Sequence, residues 1–297
     1  MVRLPPPVRP GDRVGVAALS GPVDGEGLER GLDALRELGF EPVPAGNLGR
    51  RHGIFAGTDE ERLAAFHELA GDRDLPAILF ARGGSGLLRV LPRIDWELLR
   101  SAPRAYVGYS DLTPFLLEVV RRLRLVAFHG PMVAADLARG LTAGEEESFL
   151  GALEGRYPSA VSPTCWAREG AARGVLSGGC LSLLTAVLGT PWAPDLSGSI
   201  LFLEDVDEPE YRVDRMLTHL RLSGSLSGIR GVVTGQLGGG WDDGCLGEWQ
   251  LDSLAGDYPI AFGFPAGHGA PNLTLPLGLE AVLDSRAGEI RFEVPSA

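Results

Sequence analysis

Tyr106-Val107-Gly108-Tyr109-Ser110-Asp111-Leu112-Thr113-Pro114 compresses a strand end, a sharp turn and a helix start into one short stretch. The apolar run before Gly108 reads as a buried strand. Pro114 and the apolar positions beyond it read as the first turn of a helix running to about Leu123. Between them Gly108 permits backbone that other residues avoid, and a lone serine follows. A serine on such a turn is held out of the sheet, beside the unpaired amides of a helix N-terminus. That placement suits a nucleophile. It equally suits a helix cap, since serine is a favoured N-cap residue.

Outward from this stretch the same alternation repeats. Residues 12–18 (DRVGVAA) predict a strand, and Leu28, Leu32, Leu35 and Leu38 then recur at helical spacing. Thr58-Asp59-Glu60-Glu61 is a capping box that opens another helix. Residues 77–81 (AILFA) read as a short buried strand, followed by the loop Arg82-Gly83-Gly84-Ser85-Gly86. A further strand is expected over 126–129 and an acidic-start helix over 142–153. Strands alternating with helices imply βαβ units and a mostly parallel, Rossmann-like sheet. In such sheets sites lie at the carboxyl ends of strands, where both the glycine loop and Ser110 fall. The loop lacks G-x-G-x-x-G spacing, so it is no dinucleotide fingerprint, although a phosphate site there stays open.

Residues 154–163 break the pattern with Gly, Pro and Ser and read as a linker. The expected division is an N-terminal domain over 1–155 and a C-terminal domain over 165–297. Beyond the linker, short apolar runs at 174–176, 199–203, 231–234, 260–262, 279–283 and 290–294 are separated by glycine-rich turns. Helices are expected at 180–188 and 211–222. The second domain is therefore read as smaller, β-rich and barrel-like, and the whole chain as α/β.

Composition narrows the function. The 297 residues are 44% hydrophobic and 22% charged, which suits a folded globular enzyme and excludes general disorder. A net charge of −12 argues against nucleic acid as a partner. All 27 basic residues are arginine, so a lysine Schiff base, a P-loop lysine and a Ser-Lys dyad are excluded. Residues 1–10 lack the apolar core of a signal peptide, and no apolar run is long enough to span a membrane. Cys165, Cys180 and Cys245 are odd in number and widely spaced. They read as neither a disulfide framework nor a zinc site, and point to a reducing cytoplasm.

A nucleophilic serine needs a base, and the base needs a group to orient it. Of the histidines, His52, His67 and His219 read as surface residues, and His129 ends a strand as a structural residue or a cleft-lining one. His268 sits in Gly263-Phe264-Pro265-Ala266-Gly267-His268, a stiff loop directly after a strand. The acidic candidate is Glu204, the first residue after Ile200-Leu201-Phe202-Leu203. A carboxylate at that strand end can orient an imidazole. The acidic run 204–210 also reads as a solvated loop or an oxygen-ligand site for Ca²⁺ or Mg²⁺, though its spacing fits no EF-hand. Cys180, at a predicted helix start, is a rival nucleophile.

Several blocks together resemble the LD-carboxypeptidase family of serine peptidases. They are Arg82 to Gly86, Gly108 to Thr113, Phe128-His129-Gly130-Pro131, Leu203-Glu204-Asp205, Tyr211-Arg212-Val213-Asp214-Arg215, and Gly263 to His268 with Leu275-Pro276-Leu277-Gly278. The resemblance covers nearly the whole chain, in order. It implies a Rossmann-like domain carrying nucleophile Ser110, a β-rich domain carrying Glu204 and base His268, and a homodimer. It also implies oxyanion donors at the backbone amides of Asp111 and Gly84. The family pattern has Gly-Gly-Asn-Leu where this chain has Gly178-Gly179-Cys180-Leu181, which bears on the substrate pocket. Arg82 is the candidate for a substrate carboxylate, and Trp241 for stacking on a base.

The expected function is a serine carboxypeptidase that cuts an L–D amide and releases terminal D-alanine from murein tetrapeptide. It requires no cofactor and no metal, and its partner is a small peptide or muropeptide. The family also contains microcin C immunity peptidases, so cleavage of peptidyl- or aminoacyl-nucleotides is the alternative. A non-catalytic binding module with a degenerate site is the third reading.

Overall fold

The computed structural model describes residues 2–157, 160–237, 248–254 and 256–294. The chain divides into two compact units, Met1–Arg156 and Tyr157–Ala297. In the first, strands and helices alternate: β1 (Arg13–Ala17), α1 (Gly25–Glu37), β2 (Glu41–Pro44), α2 (Asp59–Gly71), β3 (Ala77–Phe80), α3 (Leu87–Val90), α4 (Trp96–Ser101), β4 (Ala105–Gly108), α5 (Thr113–Glu118), β5 (Ala127–His129) and α6 (Ala143–Glu154). The strands pair in parallel in the order β5-β4-β3-β1-β2.

Helices cover this sheet, so its inner strands read as unbroken apolar runs. All residues of β3 and β4 are buried. Phe115 of α5 packs edge-on against Phe66, Phe80 and Tyr106, with ring centroids 5.3–5.6 Å apart. That cluster fixes α5, and through it the turn at Ser110, against the strand that leads into it. The Thr58 capping box forms as expected, its hydroxyl accepting from the Glu61 amide while the Glu61 carboxylate accepts from the Thr58 amide. Thr142 and Glu145 form a second one.

Two local expectations are corrected here. The helix expected from Pro114 to Leu123 is a 3₁₀ turn over Ser110–Leu112, then α5, then a wider π turn over Val119–Leu123. His67 is not a free surface residue, because its Nε2 accepts the Asp95 amide at the start of α4.

The second unit contains β6 (Cys165–Arg168), β7 (Ala171–Cys180), α7 (Leu181–Ala186), β8 (Ser199–Glu204), α8 (Glu210–Leu222), β9 (Gly231–Thr234), α9 (Glu248–Ser253), β10 (Ile260–Phe262), β11 (Leu275–Leu277), β12 (Glu280–Asp284) and β13 (Glu289–Glu293). A sheet ordered β13-β12-β7-β8-β9-β10-β6 curls into a half-barrel. Its middle, β7-β8-β9-β10, is parallel, while β12, β13 and β6 run antiparallel to their neighbours. The parallel centre places the carboxyl ends of β8 and β10, and hence Glu204 and the loop of His268, on one side of the sheet.

Cys165 is disulfide-bonded and Cys180 is free and buried. This overturns the reading of three unpaired thiols, and the cysteines cease to argue for a reducing compartment. Widely spaced cysteines carry no pairing information until the fold brings them together. Among the described residues no helix is long and apolar enough to cross a membrane.

Candidate active site

At the end of β4, Tyr109 is fully extended and Ser110 has a φ of 62°. A side chain with a Cβ in this left-handed region carries strain on the order of 1–2 kcal/mol. The capping expectation fails, because the cap position falls on Tyr109 and Ser110 is already the first residue of the 3₁₀ turn. What the strain achieves is a change of direction: strand and helix part, and a half-buried Ser110 stands at the corner.

The loop after β3 packs directly on this corner. A Cβ at Gly83 would lie 2.8 Å from Cβ and 2.9 Å from Oγ of Ser110, and 3.5 Å from the Asp111 amide nitrogen. Only glycine fits there. On its other side the loop rests on Gly21, whose amide donates to the Gly83 carbonyl at 3.0 Å. Ser110, the Asp111 amide and the Gly83-Gly84 backbone therefore form one cluster, built from the carboxyl ends of β1, β3 and β4. Asp111 is buried; its carboxylate accepts from the Leu87 amide at 2.9 Å, and burial raises its pKa. Arg82 is exposed, and its guanidinium donates to the Pro22 carbonyl at 3.1 Å.

In the second unit Glu204 is the last residue of β8 and has no exposed surface. Its Oε2 lies 2.6 Å from Nδ1 of His268, across 64 residues of sequence. Burial raises the pKa of Glu204, opposed by the hydrogen bond and charge of His268. The imidazole is itself only 16% exposed, so its ring is held with little freedom. Gly267 keeps this contact open: at φ +128°, its missing Cβ would fall 3.0 Å from Glu204 Oε2. Carboxylate bound to Nδ1 leaves Nε2 as the ring nitrogen that can exchange a proton with a substrate or a nucleophile.

Two supports escaped the sequence reading. Buried Asn272 accepts the Gly267 amide at 3.0 Å and so fixes the backbone beside His268. An Asn in a Gly- and Pro-rich loop is the signal that could have found it. Asp205 holds the Ser182 amide at 2.7 Å, and its own amide donates to the Gln236 carbonyl at 2.9 Å. Nothing in the sequence pairs these residues in advance. Cys180 stands opposite Glu204 in the β7–β8 register, and burial, with Glu204 and Asp205 nearby, pushes its thiol pKa well above the ordinary value. A thiol so placed stays protonated and is a poor nucleophile. Trp241 lies outside the described residues. Among the described residues no three His, Cys, Asp or Glu side chains cluster as a metal centre would need.

Comparison with known proteins agrees in order and extent. Residues 14–130 match the LD-carboxypeptidase N-terminal domain and residues 173–283 the LD-carboxypeptidase C-terminal domain. A Bacillus subtilis protein named probable murein peptide carboxypeptidase is 36% identical over 296 residues, spanning 95% of this chain and 91% of the relative. The crystal structure of muramoyltetrapeptide carboxypeptidase from Oxalobacter formigenes has a TM-score of 0.82 at 32% identity, covering 96% of this chain and all of that one (100%). The structure of MccF in complex with glutamyl sulfamoyl guanosine has a TM-score of 0.88 at 25% identity, covering 98% of each chain. With both domain models matched in sequence order and relatives aligned almost end to end, the chain belongs to the LD-carboxypeptidase family of serine peptidases.

Proposed function

We propose that this protein is a serine carboxypeptidase that hydrolyses the L–D amide of murein tetrapeptide and releases terminal D-alanine. The observation that carries the reading is the 2.6 Å contact between His268 Nδ1 and buried Glu204, the pairing a general base requires. Ser110, held at a strained corner beside backbone amides, is the nucleophile that such a base would serve.

In the proposed reaction His268 Nε2 takes the hydroxyl proton as Ser110 Oγ attacks the scissile carbonyl carbon. The carbonyl oxygen becomes an oxyanion stabilised by the Asp111 and Gly84 amides, each such donor lowering the barrier by roughly 3 kcal/mol. The C–N bond then breaks, His268 returns its proton to the departing D-alanine amine, and an acyl ester remains on Ser110. Water, deprotonated by the same imidazole, hydrolyses that ester and restores the serine. Glu204 holds the ring tautomer and balances the imidazolium charge throughout. Exposed Arg82 is the proposed fork for the substrate's terminal carboxylate.

A second reading has its own support, the likeness to MccF bound to an aminoacyl sulfamoyl nucleoside. The murein reading is preferred because the relatives named for murein peptides share more sequence with this chain. The homodimer that the resemblance implies belongs to the proposal, and light scattering on the purified protein measures it. Purified protein is to be given murein tetrapeptide and, separately, aspartyl sulfamoyl adenosine, with the products weighed by mass spectrometry. D-Alanine release at a much higher kcat/KM than nucleoside release is expected. Cleavage of the nucleoside alone would overturn the substrate assignment.

A further inference from the structure

A loop that presents an oxyanion donor has to be stiff before substrate arrives, because reorganising it during the reaction would cost barrier height. The 82–87 segment joins β3 to α3 with no ladder partner of its own, and its restraints come from three directions. The Gly83 carbonyl accepts from the Gly21 amide at 3.0 Å. The Gly86 carbonyl accepts from Nη1 of Arg62 at 2.9 Å, and the same nitrogen donates to the Leu19 carbonyl in the loop after β1. From the Ser110 side, Asp111 Oδ2 takes the Leu87 amide at 2.9 Å.

Both side chains in this set are ionic and yet withdrawn from water, Arg62 at 0% and Asp111 at 4% exposure. Burying such groups is costly unless each is held, and a smaller apolar residue would fill the space more cheaply. Arg62 is held by Asp59, 2.5 Å from Nη2, and lies over the Phe55 ring at 5.1 Å. The buried Ser20 hydroxyl sits beside the Asp111 carboxylate, in the loop that Arg62 grips through Leu19. Arg62 thus holds the loops after β1 and β3 together, while Asp111 ties those same two loops to the Ser110 turn.

We propose that the Asp111 carboxylate and the Arg62 guanidinium are positioning residues that lock the 82–87 loop in register with the Ser110 turn. The inference rests on the serine-peptidase reading above. Asp111 has two tasks under it: its amide faces the oxyanion, while its side chain fixes the loop that supplies the second donor, Gly84. Displacing either donor then disturbs the other.

The test combines hydrogen exchange over residues 82–90 with kcat and KM on murein tetrapeptide. For Asp111→Ala, exchange over 82–90 is expected to rise about tenfold or more while α6 stays unchanged. Its kcat is expected to fall about a hundredfold, the loss typical of one displaced oxyanion donor, with KM within about threefold. Asp111→Asn, whose amide oxygen still accepts from Leu87, is expected to recover most of that kcat. Unchanged exchange in Asp111→Ala, a loss confined to KM, or an Asn variant no better than Ala would each overturn the proposal. If Asp111→Ala does not fold, Arg62→Lys and Ser20→Ala are judged by the same two readouts. Wild-type protein that releases no D-alanine would instead refute the murein reading, and the exchange data would still decide the lock.

Discussion

At Ser110 a hydroxyl is set by a φ of 62° and by the missing Cβ of Gly83, whereas at His268 an imidazole is set by a carboxylate 2.6 Å away. The first region is made of backbone and the second of side chains. Backbone positions tolerate no added atoms, because neighbouring main chains cannot move aside independently. Side-chain pairs tolerate shape change but not loss of charge or of the hydrogen bond. The proposed chemistry joins a sterically intolerant half to an electrostatically intolerant one, and the predicted effects of substitution divide along that line.

The largest effect is expected at the side-chain pole. His268→Ala removes base and acid together and should lower kcat by about 10⁴-fold or more on murein tetrapeptide, measured by D-alanine release. A loss below about tenfold would show that the pair is structural. Glu204→Gln keeps the shape and removes the charge, and about a 10³-fold fall in kcat is expected.

The same variant sharpens the comparison in stability. Burial raises the folded-state pKa of Glu204, so its contribution to stability is fully present below its ordinary value of 4.5 and is lost as pH rises through the folded value. Glu204→Gln removes that loss. Its Tm should equal or exceed the wild-type value above about pH 5, with the gap in its favour widening as pH rises. A variant that is both inactive and less stable at neutral pH would mean that the charged carboxylate supports the fold.

At the backbone pole a single added carbon should suffice. Gly83→Ala places a Cβ 2.8 Å from Ser110, so either the corner or the loop must shift. A fall in kcat of about 10²-fold is expected with KM nearly unchanged. An alanine variant of normal kcat would show that the corner is not tightly packed. The smallest effect belongs to Cys180, which stands opposite Glu204 but stays protonated. Cys180→Ser should keep kcat within about threefold, and iodoacetamide should inactivate the wild-type protein only slowly. Rapid inactivation would return the cysteine to the list of nucleophiles.

The same division decided what could be read in the sequence. Backbone geometry demands particular residues at adjacent positions, so the Gly83-Gly84 loop and the Gly108 to Ser110 turn were visible as local patterns. The parallel sheet was visible for the same reason, since buried strands such as β3 must be apolar throughout. Glu204 could be found only as an acid at a strand end, and its partner only as a histidine on a stiff loop. Their contact is made by folding. The strands β6 and β11 escape a sequence reading because Cys165–Arg168 ends in a charged arginine and Leu275–Leu277 is centred on a proline, which argues against a strand. The capping reading of Ser110 failed because composition cannot reveal a positive φ. Arg62 was overlooked entirely, since an arginine on a helix ordinarily faces water, and only the fold shows this one to be buried.

The most direct test is the rate of D-alanine release from murein tetrapeptide by Ser110→Ala beside the wild-type protein. With Ser110 as nucleophile the variant should lose about 10⁴-fold or more in kcat and form no acyl ester, while binding substrate and melting as the parent does. Turnover of the variant at the wild-type rate would contradict the account, because the chemistry would then run without the residue that the strained corner holds.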